Sequence, residues 1–197
     1  MTDKLPLSFY LNPDVVATAK QLLGKYLCTN IDNQMTIGKI VETEAYCGAT
    51  DKACHAHFGK TKRNQVMFAQ GGIAYVYLCY GIHHLFNVVT NIEGCADAVL
   101  IRAIEPVIGI DTMLQRRNMQ KLLHRIAAGP GSVSQALGIS TSLYGTDLQG
   151  DKIWIADNQP IHTDSIIAST RIGVAYAEED ALLPWRFRVK GNPWAGK

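Results

Sequence analysis

Apolar positions fall first at helical and then at strand spacing along the opening part of the chain. Val15, Val16, Ala19, Leu22 and Leu23 recur at the steps of one helix face, and Gly24 ends the run. Asn12-Pro13 predicts where that helix starts, with asparagine as N-cap and proline at the first helical position. Tyr26 to Asp32 reads as a strand, Asp32-Asn33-Gln34 as a turn, and Thr36 to Tyr46 as the returning strand. From Cys47 to Asn64 the periodicity vanishes. Gln65 to Phe68 predicts a short helical turn and Gly71-Gly72 a sharp reversal. Ile73 to Cys79 and Leu85 to Thr90 then form a hairpin around Tyr80-Gly81-Ile82-His83, and Ala98 to Ile104 is a further strand. Pro106 through Leu114 predicts a second helix. Ser132 is placed to cap a third, over Val133, Ala136 and Leu137, with Gly138 closing it. Short strands follow at 152–156, 171–174 and 187–190. With no repeat and no long linker, the expectation is a single domain over residues 1–197 of the α+β class. Its centre is a curved, barrel-like antiparallel sheet flanked by helices.

Composition narrows this only a little. A chain of 197 residues with 47% hydrophobic content can bury a core of its own. Its formal charge of +2 does not announce a nucleic-acid binder. The placement of charge says more. Lys52, His55, His57, Lys60, Lys62 and Arg63 crowd the aperiodic stretch, and Arg116, Arg117, Lys121, His124 and Arg125 crowd a second tract. Loops of such length within a domain are functional or disordered. Two readings stand for 47–64, a solvated loop and a surface that touches a polyanion. The five cysteines are odd in number and form no C-x-x-C pair, which suits a reducing compartment. Cys47, Cys54, His55 and His57 fit no usual zinc spacing, so no metal is expected. The leading residues read as neither signal peptide nor membrane span.

The candidate chemistry lies in the long strand and the hairpin. Alternation puts Glu42, Glu44 and Tyr46 on one face of the strand. Carboxylates in mid-strand are disfavoured. A solvent-facing place is the expectation for Glu42, whereas Glu44 lies between that residue, a tyrosine and the basic stretch. In the hairpin, Tyr75, Tyr77 and Cys79 share one face and Val76, Leu78 and Tyr80 the other. Tyr80 at the turn is badly placed for core packing and well placed to wedge between stacked bases. Tyr46 and Tyr77 could sandwich a planar base removed from a duplex. Tyrosines that simply pack a β-core remain the alternative.

Taken together, these motifs carry a resemblance. Val41-Glu42-Thr43-Glu44-Ala45-Tyr46, His55, Arg63-Asn64-x-x-Met67-Phe68, Tyr75-Val76-Tyr77-x-x-Tyr80-Gly81, Asn87 and Leu100-Ile101-Arg102-Ala103-Ile104-Glu105-Pro106 are similar to the alkyladenine (3-methyladenine) DNA glycosylase family. The similarity continues, in order, through Gly129-Pro130-Gly131, Gln135-Ala136-Leu137, Arg171-Ile172-Gly173 and Arg186-Phe187 to Gly191-Asn192-Pro193-Trp194.

The resemblance implies a base-excision enzyme that flips alkylated or deaminated purines out of double-stranded DNA and hydrolyses the N-glycosidic bond. It implies Glu44 as general base, with Arg102 placing a water or a DNA phosphate beside it. Tyr46, His55 and Tyr77 would hold the flipped base, the His55 backbone amide reading its edge. Asn87 and Met67 would set the pocket's width, Asn87 by crowding the amino group of guanine. Tyr80 would fill the gap in the duplex, beside Gly81 and His83, and Lys60 and Arg63 would bind phosphates with the 116–125 tract. No cofactor is implied, nor a membrane. A monomer is expected, in the cytoplasm with a bacterial nucleoid or in a eukaryotic nucleus. Two departures stand out. Ser132 occupies a place where the family often has lysine, and the tip Ile82-His83-His84-Leu85 is its own.

No lysine shares the strand face of Glu44, which favours simple hydrolysis over a Schiff-base step. Two rival readings are a non-catalytic nucleic-acid module, which does not need Glu44, and a zinc deaminase. The deaminase needs an H-x-E and a later P-C-x-x-C, and the chain has neither.

Overall fold

The longest strand organises the molecule. A computed structural model describes residues 3–196. In it β2 (Gln34–Tyr46) pairs antiparallel with β5 (Asp97–Ile108) along one edge. Its other edge is shared. β1 (Tyr26–Ile31) pairs with the first half of β2, and β8 (Arg186–Val189) takes over at Glu42–Glu44. Beyond β5 lie β4 (His83–Thr90) and then β3 (Ala74–Cys79), beyond β1 lies β6 (Ile153–Ala156), and β7 (Ile166–Ser169) flanks β8. The result is one eight-stranded antiparallel sheet that branches at β2. It is curved but open.

The curvature has a local cause. The β2–β5 register shifts at Ile37/Gly38, Ile40/Glu42 and Glu42/Thr43. Each extra residue bends its strand and increases the twist. Gly38 allows the first shift, because a Cβ there would lie 2.1 Å from Cδ1 of Ile104. The later shifts lie where the carboxylates are.

Helices cover the apolar face. α1 (Leu7–Tyr10) and α2 (Val15–Leu22) bury Tyr10, Ala19 and Leu22. Thr43 Oγ1 in β2 donates to the Ala19 carbonyl at 2.9 Å. α4 (Pro130–Leu137) packs Val133, Ala136 and Leu137 into the same core as Phe86, Ile101 and Ile104. Burying side chains of this size contributes about 1.5–3 kcal/mol each. α3 (Ile110–Arg116) adds Met113. No helix among the described residues is long and apolar enough to cross a membrane.

Several local expectations shift. The cap of α2 is Asp14, whose carboxylate accepts from the Ala17 N–H at 2.9 Å, while Asn12 bonds the Asp14 N–H. Pro106 does not begin a helix, because β5 runs on to Ile108, Pro106 lies opposite Gly38, and α3 starts at Ile110. α4 starts at Pro130 after Gly129, so Ser132 lies inside the helix and is not its cap. The strand expected at 171–174 is absent. Ile166–Ser169 pairs with β8 instead, and residues 171–174 cross toward β2.

Candidate active site

Glu44 is held at the end of β2, its side chain 0% exposed. Oε2 accepts from the Tyr46 hydroxyl at 2.8 Å and from Arg102 Nη1 at 3.2 Å. Oε1 accepts from the backbone N–H of Ile172 at 2.9 Å. Each carboxylate oxygen has about two lone-pair sites. Oε2 is therefore filled, and Oε1 retains one position for a further donor.

Glu42 corrects an expectation. It does not face solvent but is 2% exposed, with Oε1 bonded by Arg102 Nε at 2.9 Å and Arg186 Nε at 2.7 Å. The backbone N–H of Gly196 donates to its Oε2 at 2.7 Å. Arg102, from β5, thus spans both carboxylates of β2. Asp51 pairs with both terminal nitrogens of Arg171, whose Nη1 also donates to the Ala45 carbonyl at 2.9 Å. Glu42, Glu44 and Asp51 are balanced by Arg102, Arg171 and Arg186, all buried. Buried ions are tolerable only with such pairing and hydrogen bonding.

The acidities follow. Burial pushes the Glu42 carboxyl up, but Arg186, the Gly196 amide and Arg102 outweigh it and hold the group below its ordinary range. Burial, and then the charge and hydrogen bond of Glu44, raise the Tyr46 phenol well above its ordinary value. Tyr46 is therefore a hydrogen-bond donor to Glu44 throughout the neutral range.

Above this network opens a cleft of about 680 Å³, lined by Tyr46, His55, Met67, Tyr77, Asn87 and Arg102 among others. Every residue expected to hold the base lies in this wall. Glu44 lies directly behind it, covered by Tyr46, Arg102 and Ile172. Tyr77 and His55 meet edge to face at 4.7 Å, and Tyr75 bonds His55 Nδ1 through its hydroxyl at 3.0 Å. Desolvation beside these rings, and then the charge of Arg63, lower the His55 imidazole to about 4. His55 is neutral at pH 7. The Asn87 amide donates to the Tyr75 carbonyl at 3.2 Å, which fixes the side chain in the wall.

The tyrosine rings are not bare. Arg171 lies 4.8 Å from the Tyr46 ring centre and Arg63 4.9 Å from that of Tyr77. A planar ligand on Tyr77 must use the other face or displace Arg63.

The surface residues expected to meet the duplex differ in how far the fold engages them. Tyr80 is 89% exposed, with φ +50°, and Gly81 follows at +72°. Two left-handed residues make the tight hairpin turn, closed by Ile82 N–H to the Cys79 carbonyl at 3.1 Å. That turn projects the phenol outward. His83 packs at the start of α4, where a Cβ on Gly131 would come within 3.0 Å of its ring. Lys60 lies 5.8 Å from the Phe68 ring centre on the exposed loop. The 116–125 tract is only partly a cationic surface. Arg116 bonds the Ala136 carbonyl and Thr36, and Arg117 bonds Gln135, tying α3 to α4.

The 47–64 stretch folds back on the sheet through buried Asp51, Ala53, Cys54, Ala56 and Asn64. Asp51, Arg171, the Ile172 amide and Arg186 received no role from the sequence. The signal for Arg171, Ile172 and Arg186 was the pair of short motifs Arg171-Ile172-Gly173 and Arg186-Phe187, and Asp51 had none.

Known proteins are similar to this chain over nearly its whole length. The family model described as methylpurine-DNA glycosylase (MPG) matches residues 8–193. A Chlamydia felis protein provisionally named a 3-methyladenine DNA glycosylase is 50% identical over 185 residues, covering 93% of this chain and 94% of its own. A Carboxydothermus hydrogenoformans protein with the same provisional name is 47% identical over 194 residues and 98% of each chain. One from Methanocella arvoryzae is 45% identical, over 98% of this chain and 96% of its own.

Proposed function

The chain belongs to the methylpurine-DNA glycosylase family, and from that premise we propose that it is a monofunctional hydrolase acting on damaged purines in double-stranded DNA. The observation that carries this reading is the carboxylate of Glu44, pinned by three donors directly behind an aromatic-walled cleft. The lesions are alkylated or deaminated purines of the 3-methyladenine, 7-methylguanine, hypoxanthine and ethenoadenine class. The product is an abasic site.

The steps follow from charge. Tyr80 enters the duplex and fills the gap as the damaged nucleotide rotates out. Unstacking costs a few kcal/mol, least for a weakly paired base. The base enters between Tyr46, His55 and Tyr77, and stacking on aromatic rings contributes about 1–3 kcal/mol. Neutral His55 presents no charge against a cationic, alkylated purine. Asn87 and Met67 limit the width available to the ring substituents.

Glycosidic cleavage builds positive charge on the deoxyribose. The Glu44 carboxylate steadies that charge as it develops; a water held at the remaining position of Oε1 then passes a proton to it while the water oxygen bonds to C1′, the broken C1′–N bond's electron pair leaving with the base. General-base assistance of this kind is worth roughly 100- to 10,000-fold in rate. Arg102 and Tyr46, both on Oε2, keep the proton-accepting oxygen turned to its task. An alkylated purine leaves with its charge neutralised, whereas hypoxanthine needs a proton from the site. Lys60 and Arg63, with Lys121, His124 and Arg125, supply contacts to phosphates. The protein needs no cofactor and acts as a monomer, in the compartment that holds the DNA.

The test is release of free base from methylated DNA and from a hypoxanthine duplex by wild type and by Glu44→Gln. DNA binding without release from either substrate would support a non-catalytic binding module instead.

A further inference from the structure

The segment Trp194–Gly196 is tied into the buried charge network at Glu42. The Gly196 N–H donates to Glu42 Oε2 at 2.7 Å, and its carbonyl accepts from Arg188 Nη1 at 2.6 Å. The Ala195 carbonyl lies 3.4 Å from His124 Nε2. Asn192 steers the segment inward. Its carbonyl oxygen accepts from the Trp194 N–H at 2.8 Å, while its amide donates to Glu105 at 3.0 Å. Trp194 packs against the main core. A Cβ at position 196 would lie 2.7 Å from Glu42 Oε2 and 2.8 Å from Arg186 Nη2, so a side chain there must displace one of these buried, bonded groups.

These contacts link up. Gly196 fixes one oxygen of Glu42, and the other holds Nε of Arg102 at 2.9 Å. A guanidinium is planar and rigid, so holding Nε sets the direction of Nη1, the nitrogen that reaches Glu44 at 3.2 Å. We propose that the Trp194–Gly196 segment is a positioning element of the active site, acting through Glu42 and Arg102 to orient the carboxylate of Glu44. Gly196 and Glu42 are positioning residues in this arrangement, since they act through Arg102, which itself lines the cleft. The inference rests on the glycosylase reading and adds to it a part of the chain distant from the reacting bond.

The alternative is a segment that only stabilises the fold. Acidity separates the two. Glu42 is faced by Arg102 from β5, by Arg186 from β8, by Glu44 on its own strand and by the Gly196 amide. Arg188 and His124 bond the segment's carbonyls. Removing the Gly196 amide takes away a bond that favours the ionised Glu42, so this carboxyl should protonate at higher pH. A protonated Glu42 holds Arg102 less firmly, and the acid limb of the rate profile should move up in pH.

The experiment compares wild type, a chain stopped after Pro193, and Gly196→Val. It measures the single-turnover rate of base release from methylated DNA between pH 4 and 8, affinity for lesion-containing duplex, and thermal melting. A misplacement of about 1 Å at a reacting group costs on the order of 100-fold. We expect rates 10- to 100-fold lower, affinity within a factor of about 3 of wild type, and an acid limb displaced upward. Should the shortened chain fail to fold, Gly196→Val keeps the segment and carries the test. Folded variants with unchanged rate and unchanged pH profile overturn the proposal while leaving the glycosylase reading intact. A wild-type protein that releases no base overturns both.

Discussion

Ile172 donates its backbone N–H to Oε1 of Glu44 at 2.9 Å, across 128 residues of sequence. The loop that brings it there is fastened one residue earlier, where buried Arg171 is gripped by Asp51 and stacked between Tyr46 and Trp185. Asp51→Asn would leave Arg171 buried without its counter-charge. Removing one partner of such a pair costs about 3–5 kcal/mol. The expected outcome is a markedly lower urea midpoint together with loss of base release, since the Ile172 amide loses its anchor.

Acid should weaken the fold in two steps. His55 has its folded pKa lowered from 6.5 to about 4. The unfolded chain therefore takes the proton first, and stability present above pH 6.5 declines toward pH 4. His55 lines the cleft and is exposed to solvent, so this first decline is small. Glu42, held below its ordinary value of 4.5, contributes stability that is lost as pH falls through that range. Thermal melting followed from pH 8 to 3 should show a shallow fall and then a steep one. A melting temperature flat to pH 3 would contradict the account of Glu42.

Tyr80→Ala should leave stability within about 0.5 kcal/mol, as substitutions at exposed positions do. Its effect belongs to duplex DNA. Release from a lesion in a duplex should fall by about 5- to 150-fold, the loss of about 1–3 kcal/mol of stacking, while release from a single-stranded lesion holds. Equal losses on both substrates would show that Tyr80 does not fill a gap in the duplex.

Binding should weaken steeply with salt. Each phosphate neutralised contributes roughly 0.9 to the slope of log affinity against log salt. Lys60→Ala should lower that slope by about 1. Arg117→Ala should change it little, because Arg117 is engaged with Gln135 and the Arg125 carbonyl. Fluorescence anisotropy between 50 and 200 mM salt, with mutants beside wild type, measures both slopes.

Much of this site was legible because β-strand alternation is local. Glu44 and Tyr46, two residues apart, do share a face and a hydrogen bond. Tyr80-Gly81 declared its turn through the residues such turns require. What alternation could not reveal was the partner. Glu42 looks like a solvent-facing carboxylate until Arg102, Arg186 and Gly196 arrive from 60, 144 and 154 residues away. Pro106 likewise suggests a helix start, and the pairing of Glu105, Pro106 and Ile108 with Lys39, Gly38 and Ile37 keeps it in β5. Ile172 and Val174, β-branched and two residues apart, suggest a strand at 171–174 that the fold does not form. Their place over Glu44 is set by the Arg171–Asp51 ion pair.

The most direct measurement is single-turnover release of 3-methyladenine from methylated duplex DNA by Glu44→Gln beside wild type. The substitution keeps the shape while removing the base, and thermal melting beside wild type checks that the variant is folded although its amide turns a donor toward one of the three donors on Glu44. The account predicts prompt release by wild type, a rate lower by about 100-fold or more in the variant, and DNA binding preserved in both. Release by Glu44→Gln at the wild-type rate would contradict it.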